Sequence, residues 1–224
     1  MKTNIRISDV IRKRIELDNG SFFANDNISK YINQGELELL QYEVETNLEN
    51  VLQSLIIDTK NDHNTIETAK RVAKMYINEV FKGRYIEPPK VTEFPNAKQL
   101  DELYVLGPIT VRSACSHHLV PIIGKLWVGV LPSNNVIGIS KFSRIVDWVM
   151  SRPHIQEEAI IMVADELEKL MRPKGLAVFL EATHMCMTWR GVKDPGTEMI
   201  NSVMRGEFRD NPSLKHEFLT VIKR

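Results

Sequence analysis

A change of periodicity near residue 90 is the feature that most constrains the fold of this 224-residue chain. Before it, residues 36–83 carry apolar side chains at three- and four-residue spacing, which predicts helices. Thr65 and Thr68 resemble a helix start, and Gly83 resembles a helix end. The EPPK of residues 87–90 ends this pattern. Over about 103–131, apolar and other residues alternate and β-branched residues are favoured, in the stretches LYVLGPITVRSAC and LVPIIGKLWVGVLP, which predicts strands.

The remaining segments predict how helices and strands combine. The PSNN of residues 132–135 indicates a turn, VIGI a short strand, and SKFSRIVDWVM and IQEEAIIMVADELEKLM indicate helices. LAVFLEATHMCMTW predicts a strand, NSVMRGEF a strand paired with it, and SLKHEFLTVIK a final helix. The order β-β-α-α-β-β predicts an α+β domain with helices on one face of an antiparallel sheet. We expect residues 1–90 to form an N-terminal helical arm, its first 35 or so residues partly flexible, and residues 91–224 to form the main domain.

Composition and charge argue against several classes of protein. The 29 basic residues balance the 29 acidic ones, so the sequence predicts no broad attraction to nucleic acid or to a membrane. No apolar run approaches the length of a membrane span, and the first twenty residues lack the continuous apolar segment of a signal peptide. We therefore expect a cytoplasmic protein whose two cysteines are free thiols.

Both cysteines lie beside histidines, in SACSHHLV and in EATHMCMTWRG. Cys115 and His118 are spaced so that both can reach one ion, and Cys186 is the candidate third ligand. Zinc takes thiolate and imidazole ligands, and its catalytic sites use three protein ligands and leave the fourth position open. The alternative is that both cysteines are small buried hydrophobic residues and the histidines ordinary strand residues. The spacing alone favours neither.

Two further histidines favour hydrolytic chemistry. His117 is adjacent to the candidate ligand, and His184 lies two residues before Cys186, on the same face if the segment is a strand. Imidazoles beside a metal site can carry protons during hydrolysis. The H-x-E and P-C-x-x-C signature of nucleobase deaminases is absent from the sequence, which argues against that zinc chemistry.

A candidate phosphate site lies in VIGISKFSR. Ser140 falls where a strand gives way to a helix, and Lys141 and Arg144 are three residues apart on one helical face. Backbone N–H groups at a helix start, with two cations, can bind phosphate. The alternative is a solvated basic face, the commoner outcome for one Lys–Arg pair.

Three more segments carry candidate polar contacts. Gln156, Glu157 and Glu158 begin a helix, where acidic residues are expected from the helix dipole. A carboxylate in a pocket can also accept hydrogen bonds from N1–H and the 2-amino group of guanine. Arg190, in TWRG, is either a cation near the metal or a charge at the end of a strand.

Together, and in this order, these segments resemble GTP cyclohydrolase I. The resemblance is carried by CSHHLVP, GKLWVGVLP, VIGISKFSRIV, RPHIQEEA, EATHMCM, RGV and the terminal HEFL. It runs from roughly Asn64 to Arg224, with AKRVAKMYINEVFKG similar to the family's helix before the sheet. The first 50 or so residues contain no motif that matches.

The resemblance implies roles for the histidines and cysteines. Cys115, His118 and Cys186 would hold zinc, which supplies the water that attacks C8 of the guanine ring. His117 would protonate the imidazole nitrogen as the ring opens, and C8 leaves as formate. His184 and Ser140 would then assist ribose opening and the carbonyl rearrangement that precedes closure of the pterin ring.

The resemblance also implies how the substrate is bound and where the enzyme acts. The implied product is 7,8-dihydroneopterin triphosphate, made in the cytoplasm in the first step of tetrahydrofolate and pterin biosynthesis. The implied fold of residues 91–224 is the tunnelling fold, assembled into ring-shaped homo-oligomers, typically homodecamers, with sites at subunit junctions. The implied substrate contacts are Glu157, with Gln156, for the guanine edge, and Lys141, Arg144 and Arg190, with Arg71 and Lys74, for the triphosphate.

Two positions depart from the family pattern and keep alternatives open. Ser116 stands where the family usually has glutamate, and Ala69 where it commonly has proline. Ser116 supports a diverged paralogue that acts on a related purine nucleotide or stops at the ring-opened formamide. A nucleotide-binding assembly without turnover would need neither the ligand set nor the extra histidines. A tunnelling-fold nitrile reductase would need one cysteine rather than two.

Overall fold

The chain forms two compact units, Met1–Glu87 and Pro88–Arg224, in a computed structural model that describes residues 6–223. Residues 1–5, part of the stretch predicted to be flexible, lie outside the described residues. In the part of the chain that is described, no helix has both the length and the apolar character that a membrane span requires.

The N-terminal unit is helical, as the periodicity predicted. Its elements are α1 (Ile7–Leu17), a 3₁₀ turn (Ser29–Tyr31), α2 (Glu36–Ser54), α3 (Thr68–Met75), a π-helical turn (Tyr76–Val80) and α4 (Lys82–Tyr85). Ile11 and Ile15 of α1 are buried with Ile28, although this stretch has the weakest sequence pattern. Ala69 and Ala73 of α3 are buried as well.

The prediction that Gly83 ends a helix is wrong. Gly83 lies inside α4, and the preceding helix already leaves α-helical geometry after Met75. The Phe81 N–H donates to the carbonyl of Tyr76 over 2.9 Å, and the two rings stack with centroids 4.9 Å apart. Stacking of rings five residues apart matches the wider π-helical turn, which explains where the regular helix stops.

The C-terminal unit is built on an antiparallel sheet, as predicted. Its strands lie in the order β5-β2-β3-β6-β7, and only the short β2–β5 pairing of the five-stranded sheet is parallel. A separate ribbon pairs β1 with β4. The strands are β1 (Glu93–Pro95), β2 (Tyr104–Cys115), β3 (Pro121–Leu131), β4 (Asn135–Ile137), β5 (Pro153–His154), β6 (Gly175–His184) and β7 (Glu198–Gly206).

Helices cover both faces of this sheet. The helices are α5 (Ile139–Met150), α6 (Gln156–Met171), α7 (Met185–Thr188), α8 (Glu207–Asp210) and α9 (Pro212–Ile222). The expected pair, α5 and α6, packs on the face that carries Leu126 and Leu180. The final helices bury Phe208 and Phe218 against the opposite face, around Ala177. The sequence predicted the final helix but not the face on which it packs.

The strand predicted through Trp189 ends at His184, and α7 replaces most of the rest of it. His184 pairs with Ile122, next to the first residue of β3, Pro121. Proline has no N–H to donate to a ladder, and among the described residues none beyond His184 is paired with β3. The chain therefore satisfies its next backbone groups in a helical turn, and Cys186 lies on that turn rather than on a strand.

Candidate metal centre and active site

A tight loop after β2 brings Cys115 and His118 to one edge of the sheet. The Cys115 N–H donates to the Val120 carbonyl over 2.9 Å, and the Leu119 N–H donates to the Cys115 carbonyl over 2.8 Å. Leu119 adopts φ +55°, the left-handed conformation that reverses the chain there. Cys115 is buried at the end of the strand, whereas His118 is exposed in the loop.

The three predicted ligands converge in space. The ligand atoms of Cys115, His118 and Cys186 all lie within 4.8 Å of one another, and both cysteines are free thiols. Two sulfurs and an imidazole form a donor set that suits zinc, and three protein ligands leave one coordination position open. Ligand atoms about 2.3 Å from a tetrahedral ion lie somewhat closer together than this, so a small inward movement suffices.

The environment of the Cys186 thiol disfavours its ionisation without a cation. Burial, and then the neighbouring Cys115 thiol, raise the pKa of Cys186, and the charge of Arg190 opposes the rise. A bound metal ion stabilises thiolates directly and overrides such a preference. The cluster therefore has the chemistry of a cation site.

Arg190 lies at the cluster. Its Nη1 is 2.8 Å from Nε2 of His118. A guanidinium can only donate, so Nε2 of His118 accepts this hydrogen bond. The sequence allowed Arg190 to be either a cation near the metal or a charge at the end of a strand. The structure places it beside a candidate metal ligand.

The other two histidines of the candidate site, His117 and His184, contact different residues. Nδ1 of the exposed His117 is 3.7 Å from Sγ of Cys115, and the His117 and His118 rings meet edge to face with centroids 6.3 Å apart. His184 is half-buried at the end of β6, with Nε2 2.7 Å from Oε1 of Gln156. Burial lowers the pKa of His184, and the charge of Glu157 partly opposes this effect.

Gln156 occupies the first position of α6 and is 2% exposed. Its Nε2 donates to the Met199 carbonyl and to Oδ1 of Asn201, each over 2.9 Å. Sequence reasoning missed Met199 and Asn201, because one contributes only a backbone carbonyl and the other is an ordinary polar residue in an alternating strand. The expectation that His184 and Cys186 share a strand face is also wrong, because the strand ends at His184 and Cys186 lies on α7.

Comparison with known proteins identifies the family. A family model described as GTP cyclohydrolase I matches residues 44–223. A GTP cyclohydrolase 1 from Flavobacterium johnsoniae is 39% identical over 181 residues, which cover 80% of this chain and 80% of that protein. One from Haemophilus ducreyi is 34% identical over 202 residues, covering 87% and 92%. The chain belongs to the GTP cyclohydrolase I family.

Membership of the GTP cyclohydrolase I family confirms the resemblance stated from the motifs, and with it an enzyme and the α+β tunnelling fold. Among solved structures, an archaeosine synthase QueF-like protein in its apo form matches with a TM-score of 0.37 and 15% identity. It covers 54% of this chain and 97% of that chain. A likeness at this level carries no argument about function.

The remaining predicted contacts of this GTP cyclohydrolase I family member lie on two helices. Ser140, Lys141 and Arg144 occupy the first turns of α5, and Nζ of Lys141 donates to the Lys90 carbonyl over 3.0 Å. Arg71 and Lys74 belong to α3 of the N-terminal unit, where Arg71 pairs with Glu67 over 2.8 Å. Their roles toward a substrate stay predictions.

Ser116, the departure from the family pattern, is half-buried in the loop between two ligands. Its N–H donates to the His154 carbonyl over 2.9 Å, next to the parallel pairing of Cys115 with His154. This backbone bond does not depend on the side chain. The loop can therefore keep its conformation with serine or glutamate at the position.

Proposed function

We propose that this chain is a zinc-dependent GTP cyclohydrolase I. It hydrolyses GTP at C8, releases formate and rearranges the remainder to 7,8-dihydroneopterin triphosphate, the first step of tetrahydrofolate and pterin biosynthesis. The observation that carries the proposal is the convergence of Cys115, His118 and Cys186 within 4.8 Å, in a chain that belongs to this family. When bound there, zinc supplies a water acidic enough to act as a nucleophile at neutral pH.

His117 and His184 transfer protons during the proposed reaction. His117 is exposed beside Cys115, where an imidazole can reach a ring nitrogen of a substrate held over the cluster. It protonates that nitrogen as the imidazole ring of guanine opens. His184 is held by Gln156 and, with Ser140, assists ribose opening and the carbonyl rearrangement.

Substrate recognition uses charged side chains that complement the guanine edge and the triphosphate. Glu157 is exposed in the first turn of α6, close enough to His184 to affect its pKa, and it accepts hydrogen bonds from the guanine edge. A triphosphate carries several negative charges and needs several cations. We assign this role to Arg190, Lys141 and Arg144, together with Arg71 and Lys74.

The proposal includes a ring-shaped homo-oligomer, with a homodecamer as the expected form, working in the cytoplasm. In such a ring, sites at subunit junctions allow α3 of one copy to supply Arg71 and Lys74 to the cluster of another. Light scattering on the purified protein tests this part. A monomeric mass at the concentration of a working assay would contradict it.

A second candidate function rests on Ser116. A carboxylate missing from the loop that holds two ligands changes the charge next to the site. The alternative is a diverged enzyme that acts on a related purine nucleotide or stops at the ring-opened formamide.

Product analysis separates these functions. Metal-quantified protein is incubated with GTP, and formate, the formamide and, after oxidation, fluorescent neopterin are followed. Formate together with neopterin supports the full reaction, and consumption that stops at the formamide supports the diverged enzyme. If the zinc-loaded oligomer consumes no GTP, both forms of GTP chemistry are excluded, and ATP and other purine nucleotides are tested next.

A further inference from the structure

Gln156 is a poor candidate for direct contact with a base, because its amide is already committed. The side chain is 2% exposed, and both amide ends have protein partners at 2.7–2.9 Å. To read a guanine edge it would have to give up buried hydrogen bonds, which costs about 1–3 kcal/mol for each polar group left without a partner. Its position calls for a different role.

The direction of the Gln156 amide is fixed by a backbone group. The Met199 carbonyl can only accept a hydrogen bond, so the end of the amide that faces it must be the NH₂ group. Asn201 supplies a second acceptor, Oδ1, on the same side. The opposite end of the amide, facing His184, is therefore the oxygen Oε1.

This direction determines the form of the His184 ring. An amide oxygen can only accept, and Nε2 of His184 lies 2.7 Å from it, so Nε2 must carry a hydrogen. In the neutral ring the other nitrogen, Nδ1, then has the free lone pair. A carbonyl on β7 thus sets the tautomer of a histidine on β6 through one buried side chain.

We infer that Gln156 and Asn201 are positioning residues that hold His184 as the Nε2–H tautomer, with Nδ1 as the nitrogen that accepts a proton or a hydrogen bond. Asn201 acts on the amide of Gln156, and Gln156 acts on the ring. The geometry ties together the first residue of α6, the end of β6 and two alternate residues of β7. Only the link to turnover rests on the proposed function; the tautomer does not.

The first test is the ring itself. Zinc-loaded protein labelled with ¹⁵N-histidine is examined by solid-state NMR at about pH 8, above the ordinary pKa of histidine. His184→Gln identifies the His184 signals by their loss. We expect Nε2 to be protonated and Nδ1 unprotonated. A His184 ring protonated at Nδ1 overturns the inference, whatever the protein does with GTP.

The second test removes the Gln156 amide and, in a separate variant, the side-chain acceptor that Asn201 supplies on β7. Asn201→Leu keeps a similar volume without an acceptor, and Asn201→Asp keeps Oδ1 as the matched control. We expect Gln156→Met, which removes the amide, to give a mixture of His184 tautomers. Asn201→Leu should give a smaller change because the Met199 carbonyl still orients the amide, and Asn201→Asp should retain the Nε2–H form. Unchanged tautomers in Asn201→Leu and in Gln156→Met overturn the positioning role.

Steady-state kinetics with GTP then test whether the tautomer of His184 matters for catalysis. If the proposed function holds, Gln156→Met lowers kcat by about 10–100-fold with little change in KM, because outer partners of a site commonly have effects of that size, and Asn201→Leu lowers kcat less. The control variant Asn201→Asp should retain most of the wild-type kcat. A variant that keeps the wild-type kcat while its His184 is a mixture of tautomers contradicts the link to catalysis. A protein that has the expected tautomer but never acts on GTP contradicts only the proposed function.

Discussion

Nη1 of Arg190 donates a hydrogen bond to Nε2 of His118 over 2.8 Å, across 72 residues of sequence. The bond joins a candidate metal ligand to a candidate phosphate-binding cation. A metal ion that binds through Nε2 displaces Arg190, and one that binds through Nδ1 requires the ring proton on Nε2, which also breaks the bond. In either case Arg190 becomes free to bind an anion.

Arg190→Gln should therefore affect zinc and nucleotide in opposite directions. Arg190 and a bound zinc ion repel each other, so removing the guanidinium should raise the zinc affinity a few-fold. In a solvated site this repulsion is worth on the order of 1 kcal/mol at most. Losing a charge-assisted contact to the triphosphate raises KM for GTP about 10-fold or more. Competition with a zinc chelator and steady-state kinetics measure the two effects. Lys193→Gln, at a nearby exposed cation, should change neither.

His118→Ala should abolish stoichiometric zinc, because it leaves only two ligands. Cys186→Ala should do the same and should also abolish activity. His63→Ala is the matched control, since His63 is a highly exposed histidine of the N-terminal unit. Zinc is measured by mass spectrometry after extensive dialysis. Full activity in Cys186→Ala would exclude the zinc mechanism.

Ser116→Glu should leave the fold intact and change turnover or substrate preference. The N–H of residue 116 keeps its bond to the His154 carbonyl, so we expect the free energy of unfolding to change by less than about 1 kcal/mol. The new carboxylate adds charge beside the site. Ser116→Gln introduces a side chain of the same size as glutamate but without its charge, so comparing the two variants isolates the effect of the charge. Identical kinetics for all purine nucleotides in the three proteins would make the substitution neutral.

Gly124→Ala should destabilise the sheet. A Cβ at Gly124 would lie 2.2 Å from the Glu181 carbonyl oxygen and 2.5 Å from Cβ of Ala182, so the backbone of β6 would have to move. We expect a loss of about 2–3 kcal/mol, at the upper end for overpacking. At Gly138 the nearest contact would be 3.9 Å away, so Gly138→Ala is the control. Equal urea midpoints for the two variants would contradict this account of the strand pairing.

The Arg14–Glu36 pair should make the N-terminal unit sensitive to acid. The hydrogen bonds from Arg14 hold the pKa of Glu36 at about 2, below its ordinary value of 4.5. A lowered pKa stabilises the folded chain above about pH 4.5, and that contribution is lost as the pH falls through about 2. At pH 6, Glu36→Gln should therefore cost about 1–2 kcal/mol, after allowance for solvent screening.

Urea unfolding of the wild type and Glu36→Gln at several pH values measures this effect. The difference between the two should shrink steadily below about pH 4.5. Glu38→Gln, at an exposed position in the same first turn, should show no such trend. A difference that grows as the pH falls would have the wrong sign for an ion pair.

The local parts of the site could be predicted from sequence, and the long-range parts could not be derived from spacing alone. Cys115 and His118 lie in one short loop, so their spacing already limits their separation. The approach of Cys186 depends on the pairing of β3 with β6, where Ile122 lies opposite His184. Spacing carries no register information. Zinc chemistry made Cys186 a candidate third ligand, and the resemblance supported that choice, but neither could derive its approach to the other two.

Two other features depended on properties that a sequence pattern does not show. The α7 turn forms because β3 begins with Pro121 and offers β6 no further partner, whereas the letters MCMT are compatible with a strand. The contacts of Gln156 depend on a backbone carbonyl and on the register of β7, so the sequence could not predict them, and the substrate contact of Gln156 was implied by the resemblance alone.

The most direct test of the central claim is formate release from GTP labelled with ¹³C at C8. Metal-free protein, the same protein with one equivalent of zinc per chain, and Cys186→Ala are each followed by ¹³C NMR. The account predicts labelled formate only from the zinc-loaded wild type, together with the pterin triphosphate. Equal release by metal-free protein, or none from a fully assembled zinc-loaded protein, would contradict it.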